Sequence, residues 1–519
     1  MNEGIVATSE GLARGRREDG VWTFKGLRYA ASPTGSRRFK PPHPTQRWEG
    51  ICDFVEYGDS APQFGSVPPV KTYASLSDPS TPGEDCLRLN VWTPAPDERA
   101  RRPVMVWIHG GGFRLGSGAF NLTQGRRLAA ARDVVVVTLN HRLSVLGHLE
   151  ISHLDPSFAD SGNVGMLDIV AALRWIRENI AAFGGDPDRV MIFGQSGGGA
   201  KVSCLLAMPC AQGLFASAAC QSGTVLWGVE PATAREATAA LLDQLSIAPD
   251  NVAALSELPF ERLIEASLEI GAQWTRTFAP VIGGSLPGHP FADGAPDISR
   301  HIPLIIGTTR NEATNLVPLP HDGQLEWEML PAALSHVAIG APAVSQVAAG
   351  DLTHVIAGLR ALHPDWSPRT VFYAIASEQL ISRSSMRVAE ARAAQPNSPT
   401  WVYSVNWRTP VHGGVFGAPH GLEIPMVFDT VADAPSVLPA NDSTSSLTSA
   451  FGDFWTSLAA KGEPSSSRIG WPRFSAARKE TLLFDTPLTV ARDPGGAERA
   501  LMANIPWFDV CCSARMRDA

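Results

Sequence analysis

The stretch Ile192-Phe193-Gly194-Gln195-Ser196-Gly197-Gly198-Gly199 sets a serine among glycines at the spacing Gly-x-Ser-x-Gly. A serine hydroxyl becomes a useful nucleophile when a base takes its proton and fixed donors meet the oxyanion it creates. Residues 188–193 form a short apolar run of strand length, and residues 200–208 have no breaker and read as a helix. A serine on a sharp strand-to-helix turn is forced into strained dihedrals. A Cβ on either flank would clash, which the glycines avoid. The turn lifts the hydroxyl clear of the sheet and aims at it a helix N-terminus with free N–H groups and a partial positive charge. Gly-rich loops also produce this spacing by chance, so the rest of the chain decides.

A second stretch fits the same chemistry. Residues 103–108, Pro-Val-Met-Val-Trp-Ile, are a continuous apolar run that ends in His109-Gly110-Gly111-Gly112-Phe113. Acyl transfer needs backbone N–H groups aimed where a carbonyl oxygen turns negative. Glycines let the backbone approach a substrate with no side chain in the way. A flexible turn would also explain the glycines, but not their place at the end of a buried strand upstream of the serine turn. His412-Gly413-Gly414 is read as a decoy, because no buried-strand run leads straight into it and it follows the serine.

These loops need a scaffold. The chain has 519 residues, 44% apolar and 18% charged, an ordinary globular mix able to bury a large core. Its net charge of −8 argues against a nucleic-acid or anionic-membrane partner. The longest apolar runs, such as Val134-Val135-Val136-Val137, are strand-sized, so no membrane span is expected. The first twenty residues carry charges throughout and give no signal-peptide pattern. Seven cysteines at scattered spacings favour free thiols and a cytoplasmic setting. No Cys-x-x-Cys or His-Glu-x-x-His suggests a metal. Residues 133–140 read as another buried strand, and residues 168–183 carry Leu173, Ile176, Ile180 and Phe183 at helical spacing. Strand, helix, strand in this order predicts right-handed crossovers and a parallel sheet.

Matching stretches then run nearly end to end: Phe24-Lys25-Gly26-Leu27-Arg28-Tyr29-Ala30, Glu84-Asp85-Cys86-Leu87-Arg88-Leu89-Asn90-Val91, Gly184-Gly185-Asp186-Pro187 ahead of the elbow, and Gln221-Ser222-Gly223 after it. With them the chain resembles the type-B carboxylesterases of the α/β-hydrolase fold. The resemblance implies the remaining catalytic groups. Gly307-Thr308-Thr309-Arg310-Asn311-Glu312 is similar to the family's Gly-Thr-x-x-Asp-Glu and makes Glu312 the acid. His420-Gly421-Leu422-Glu423-Ile424 is similar to the family's His-Gly-x-Glu-Ile and makes His420 the base, out of 13 histidines. The order Ser196, Glu312, His420 is that of α/β hydrolases. Gly111, Gly112 and Gly197 are the expected oxyanion donors.

Several positions depart from the family pattern. Gln195 stands where Glu is usual and Gly197 where Ala is usual. Ala61-Pro62-Gln63 replaces the Cys-Pro-Gln whose cysteine pairs with the Cys86 position, so the gorge-mouth loop of residues 62–84 is expected to be unclipped.

The expectation is therefore one α/β-hydrolase domain over residues 1–519. It has a large mixed, mostly parallel sheet flanked by helices, with antiparallel strands from residues 1–100 at one edge. Helical insertions are expected at about 230–275 and 317–400. The activity implied is cofactor-free hydrolysis of a small ester, apolar or aromatic. Carbamates, amides or acyl transfer to an alcohol remain compatible with the same triad, and an adhesion module of the same fold is a remoter alternative. Trp274, Arg276 and Phe278 either border the acyl pocket or are loop and core residues. Oligomeric state is not legible.

Overall fold

The apolar runs lie side by side in an eleven-stranded sheet in the computed structural model, which describes residues 4–63, 71–271, 277–319, 324–335, 349–505, 507–508 and 515–516. In chain order its strands are β1 (Arg16–Glu18), β2 (Val21–Arg28), β3 (Arg88–Thr93), β4 (Arg102–Ile108), β5 (Val135–Leu139), β6 (Gly185–Gln195), β7 (Ser217–Gln221), β8 (Leu304–Thr309), β9 (Thr400–Val405), β10 (Glu480–Phe484) and β11 (Thr489–Arg492). Their spatial order is β11-β10-β9-β8-β7-β6-β4-β5-β3-β2-β1. The stretch from β5 to β10 is parallel throughout. β3, β2 and β1 close one edge antiparallel, as the sequence suggests. β11 closes the other edge antiparallel, a strand whose largely exposed Thr-Val-Ala-Arg gives little period-2 signal.

Parallel strands buried on both faces read as unbroken apolar runs, and their alternate residues feed two cores. Val104, Val106, Val135, Ile192 and Ile306 face one core, shared with the helices α1 (Val164–Asn179) and α2 (Gly197–Ala207). Met105, Trp107, Val136, Phe193 and Ile305 face the other, filled by Phe451, Phe454 and Trp455 of α3 (Asp442–Lys461). Two further groups of helices stand outside this layering, Pro231–Gln244 with Phe260–Glu269, and the succession from Leu330–Ser335 to Pro368–Ser377. Each has its own apolar cluster.

α2 begins at Gly197, three residues before the sequence reading. Glycine disfavours a helix interior, but no side chain fits here. A Cβ on Gly198 would lie 2.0 Å from the Ile108 carbonyl oxygen, and one on Gly199 2.5 Å from that of Gly223. α1 likewise starts before Asp168, and a 3₁₀ turn, Ile180–Phe183, completes it.

The described part of the gorge-mouth loop is tied down without a disulfide. Gln63 exchanges two hydrogen bonds with Gly116, at 2.8 and 3.0 Å. Ser75 and Ser436 exchange two more at 3.1 Å. The Cys86 thiol is buried and free. Cys511 and Cys512 lie outside the described residues.

Candidate active site

β6 delivers the chain to Ser196, whose φ of 57° and ψ of −126° lie in a region a side chain adopts only under constraint. The constraint is hydrogen bonding and contact. Ser196 N–H donates to the Gln221 carbonyl at 2.8 Å, and the Ser196 carbonyl accepts from Ala200 N–H at 3.0 Å. A Cβ on Gly194 would lie 2.5 Å from the Gly198 carbonyl carbon, and one on Gly223 2.0 Å from the Ser196 carbonyl oxygen. The glycines around the serine, including the one in Gln221-Ser222-Gly223, are therefore places where backbones touch. From Met191 to Ala200 only Ser196 keeps appreciable exposure.

β8 ends at Thr309, and the 3₁₀ turn Glu312–Asn315 follows it. Glu312 is 0% exposed; its Oε1 accepts from Thr309 N–H at 2.7 Å and its Oε2 lies 2.5 Å from His420 Nδ1. His420 sits on the loop after β9, clamped by Asn315. His420 N–H donates to Asn315 Oδ1 at 3.1 Å, and Asn315 Nδ2 donates to the His420 carbonyl at 3.0 Å. With Nδ1–H directed at the carboxylate, Nε2 carries the lone pair. That nitrogen accepts from Gln195 Nε2 at 3.0 Å. No hydrogen bond joins Ser196 Oγ to His420; the residue beside the serine fills that place. His412, the decoy, is exposed and lies 3.0 Å from the Ser436 carbonyl through its Nε2.

The glycine loop after β4 faces the elbow. Gly111 and Gly112 have φ of 88° and 64°, the left-handed region that glycine enters without strain. A Cβ on Gly197 would lie 2.4 Å from Gly112 N and 2.3 Å from Gly112 O, so these backbones are in contact. The three expected oxyanion glycines are thus gathered at one place beside Ser196.

Three neighbours carry no sequence signal of their own. Glu423 was visible only as part of the histidine motif. It is fully buried with Oε2 unpartnered, and burial, then the Glu312 charge, push its carboxyl up to about 7. Tyr73 approaches the His420 carbonyl at 3.5 Å from the gorge-mouth loop. Lys201 lies beneath the glycine loop, fully buried. Of the acyl-pocket candidates, Trp274 and Arg276 lie outside the described residues. Phe278 is a core residue in a cluster with Val145, Leu149 and Leu263. Among the described residues no His/Cys/Asp/Glu group could hold a metal ion, and no helix is long and apolar enough to cross a membrane.

Serine, acid and histidine in that order, beyond the ends of β6, β8 and β9 of a mostly parallel sheet, place this molecule among the α/β hydrolases. Within that class it belongs to the carboxylesterase family, whose pattern matches residues 2–501, and it is a carboxylic-ester hydrolase. It is 36% identical over 514 residues to the para-nitrobenzyl esterase of Bacillus subtilis (strain 168), covering 96% of this chain and 98% of the relative. It is 34% identical to the phenmedipham hydrolase of Pseudarthrobacter oxydans, over 94% of this chain and 97% of that protein. Among solved structures, a thermophilic para-nitrobenzyl esterase superposes with a TM-score of 0.81 at 33% identity, covering 96% of this chain and 100% of its own. The Geobacillus stearothermophilus carboxylesterase EST55 at pH 6.2 gives a TM-score of 0.81 at 34% identity, covering 96% of this chain and 99% of its own.

Proposed function

We propose that Ser196, His420 and Glu312 are the catalytic triad of this esterase, with the N–H groups of Gly111, Gly112 and Gly197 as its oxyanion hole. The observation that carries this reading is the buried Glu312–His420 pair at 2.5 Å, whose Nε2 is bonded to the residue next to the elbow serine. Gln195 first yields Nε2. Ser196 Oγ then bonds to the ester carbonyl carbon while His420 takes its proton, and Glu312 balances the imidazolium. The C–O bond to the alcohol breaks as His420 protonates the leaving oxygen. Water repeats the sequence on the acyl-enzyme and releases the acid. Protons and an acyl group are all that move, so the cycle needs no cofactor.

The preferred substrate is an apolar or aromatic ester, a reading supported by the name of the Bacillus subtilis relative. The protein works as one catalytic unit in the reducing cytoplasm, which the free buried thiol of Cys86 supports. One set of assays tests both parts. Wild-type enzyme is expected to turn over a p-nitrobenzyl ester with higher kcat/KM than the ethyl ester of the same acid. His420→Ala should lose on the order of 10⁴-fold or more in kcat on either, and His412→Ala should stay within about threefold of wild type. An inactive His412→Ala with an active His420→Ala would reassign the base; a preference for the ethyl ester would remove the aromatic reading.

A further inference from the structure

Lysine is almost never fully buried, and taking its cation out of water is costly. Lys201 is nevertheless 0% exposed, one turn into the helix that starts at the elbow. Its Nζ donates to the Gly112 carbonyl at 2.8 Å and to the His109 carbonyl at 3.1 Å. These two carbonyls bracket the glycine loop. Between them, the Gly110 carbonyl accepts from His109 Nδ1 at 2.9 Å, and the Gly111 carbonyl from Leu115 N–H at 3.0 Å.

A trans peptide is planar, with its C=O and N–H pointing in opposite directions. Pinning a carbonyl therefore aims the N–H of the same peptide the other way. The Gly111 and Gly112 N–H groups belong to the two central peptides. Their carbonyls are held by His109 and Leu115, and the peptides on either side are held by Lys201. Glycine gives the loop no side-chain restraint of its own, so its order comes from these hydrogen bonds, a further one from Arg114 N–H to the Gly111 carbonyl, and the packing of Gly112 against Gly197. The same cation, after burial itself, holds the His109 imidazole down to about 3. The ring therefore stays neutral, with Nδ1–H available for Gly110. His109 also stacks on the equally buried His141, centroids 4.8 Å apart and planes within 7°.

We propose that Lys201 is a positioning residue of the oxyanion hole, fixing both ends of the glycine loop so that the Gly111 and Gly112 N–H groups converge on the substrate oxygen. The proposal rests on the oxyanion reading given above. It predicts that Lys201 is felt when charge develops on that oxygen and not when a neutral ligand binds. The test uses Lys201→Met, close in volume and without a donor. kcat and KM are measured on p-nitrophenyl butyrate. Affinity is measured for an aryl trifluoromethyl ketone, which Ser196 adds to and converts into an anionic hemiketal, and for the corresponding alcohol, which cannot form one. The expected result is a kcat loss of roughly 10²-fold, in the range of one lost oxyanion donor. KM and alcohol affinity should stay within about threefold, and ketone affinity should fall in step with kcat/KM.

An unchanged ketone affinity overturns the proposal. So does an equal loss for ketone and alcohol, which would mean a distorted pocket. Should the Met variant fail to fold, Lys201→Gln, too short to reach both carbonyls, is measured against the same two outcomes. Ser196→Ala run alongside separates the two claims. Retained turnover there defeats the triad reading, whereas a dead Ser196→Ala beside an unaffected Lys201→Met defeats only the role of the lysine.

Discussion

Gln195 sits beside the elbow serine, and its contact with His420 is direct. A neutral amide offers its N–H to the His420 Nε2 lone pair at 3.0 Å, which suits the neutral ring that must act as base. A carboxylate in the same place would accept from Nε2–H and so favour the charged ring. The other titratable groups around the imidazole are Glu312 at Nδ1, Glu423 in the loop below and Tyr73 at its carbonyl. They are the same in both enzymes. Gln195→Glu should therefore move the acid limb of kcat/KM upward. A profile recorded on one neutral ester that is unmoved, or moved downward, would mean that residue 195 does not act on the imidazole. The serine could be read as a candidate from its spacing, with the upstream glycine loop and the matching stretches around it deciding the reading. Glu312 and His420 could not, because a single acid or histidine on a loop has no periodicity, and only the motif resemblance selected them. Lys201 and Asn315 were invisible, since their roles depend on hydrogen bonds to backbone far away in sequence.

At the scale of elements, the site is made by backbones in contact: the end of β6, the start of α2 and the glycine loop after β4. The sequence located all three, yet it started α2 too late, because local propensity penalises three glycines that tertiary packing demands. The fit at Gly197 has a consequence. The new methyl of Gly197→Ala would lie 2.3–2.4 Å from atoms of Gly112, so the glycine loop must retreat from the elbow. We expect kcat to fall by roughly 10²-fold with KM within about threefold, as for the loss of one oxyanion donor. Unimpaired kcat in a folded Gly197→Ala would show that the loop has room to spare.

At the scale of the whole molecule, the parallel sheet was legible because doubly buried strands are continuous apolar runs. The β11 edge was not, because a short, largely exposed strand lacks that signature. Burial also sets a pH dependence. Glu423, raised from 4.5 to about 7 by burial and by Glu312, favours folding fully below its unfolded pKa. That contribution is lost as pH rises from about 4.5 through 7. Glu423→Gln stays neutral throughout. Its melting temperature relative to wild type should therefore rise between pH 5 and pH 8, for a gain on the order of 3 kcal/mol at the upper end. A difference that is flat or falls with pH would mean the wild-type carboxylate is stabilised in place.

Covalent labelling reads the proposed nucleophile, Ser196, without depending on turnover. Incubation with a fluorophosphonate, followed by peptide mass mapping, should place one equivalent on the peptide holding Ser196. Folded Ser196→Ala should take up no label and lose on the order of 10⁴–10⁶ in kcat. Label found on Ser222, or turnover retained in Ser196→Ala, would mean that Ser196 is not the nucleophile.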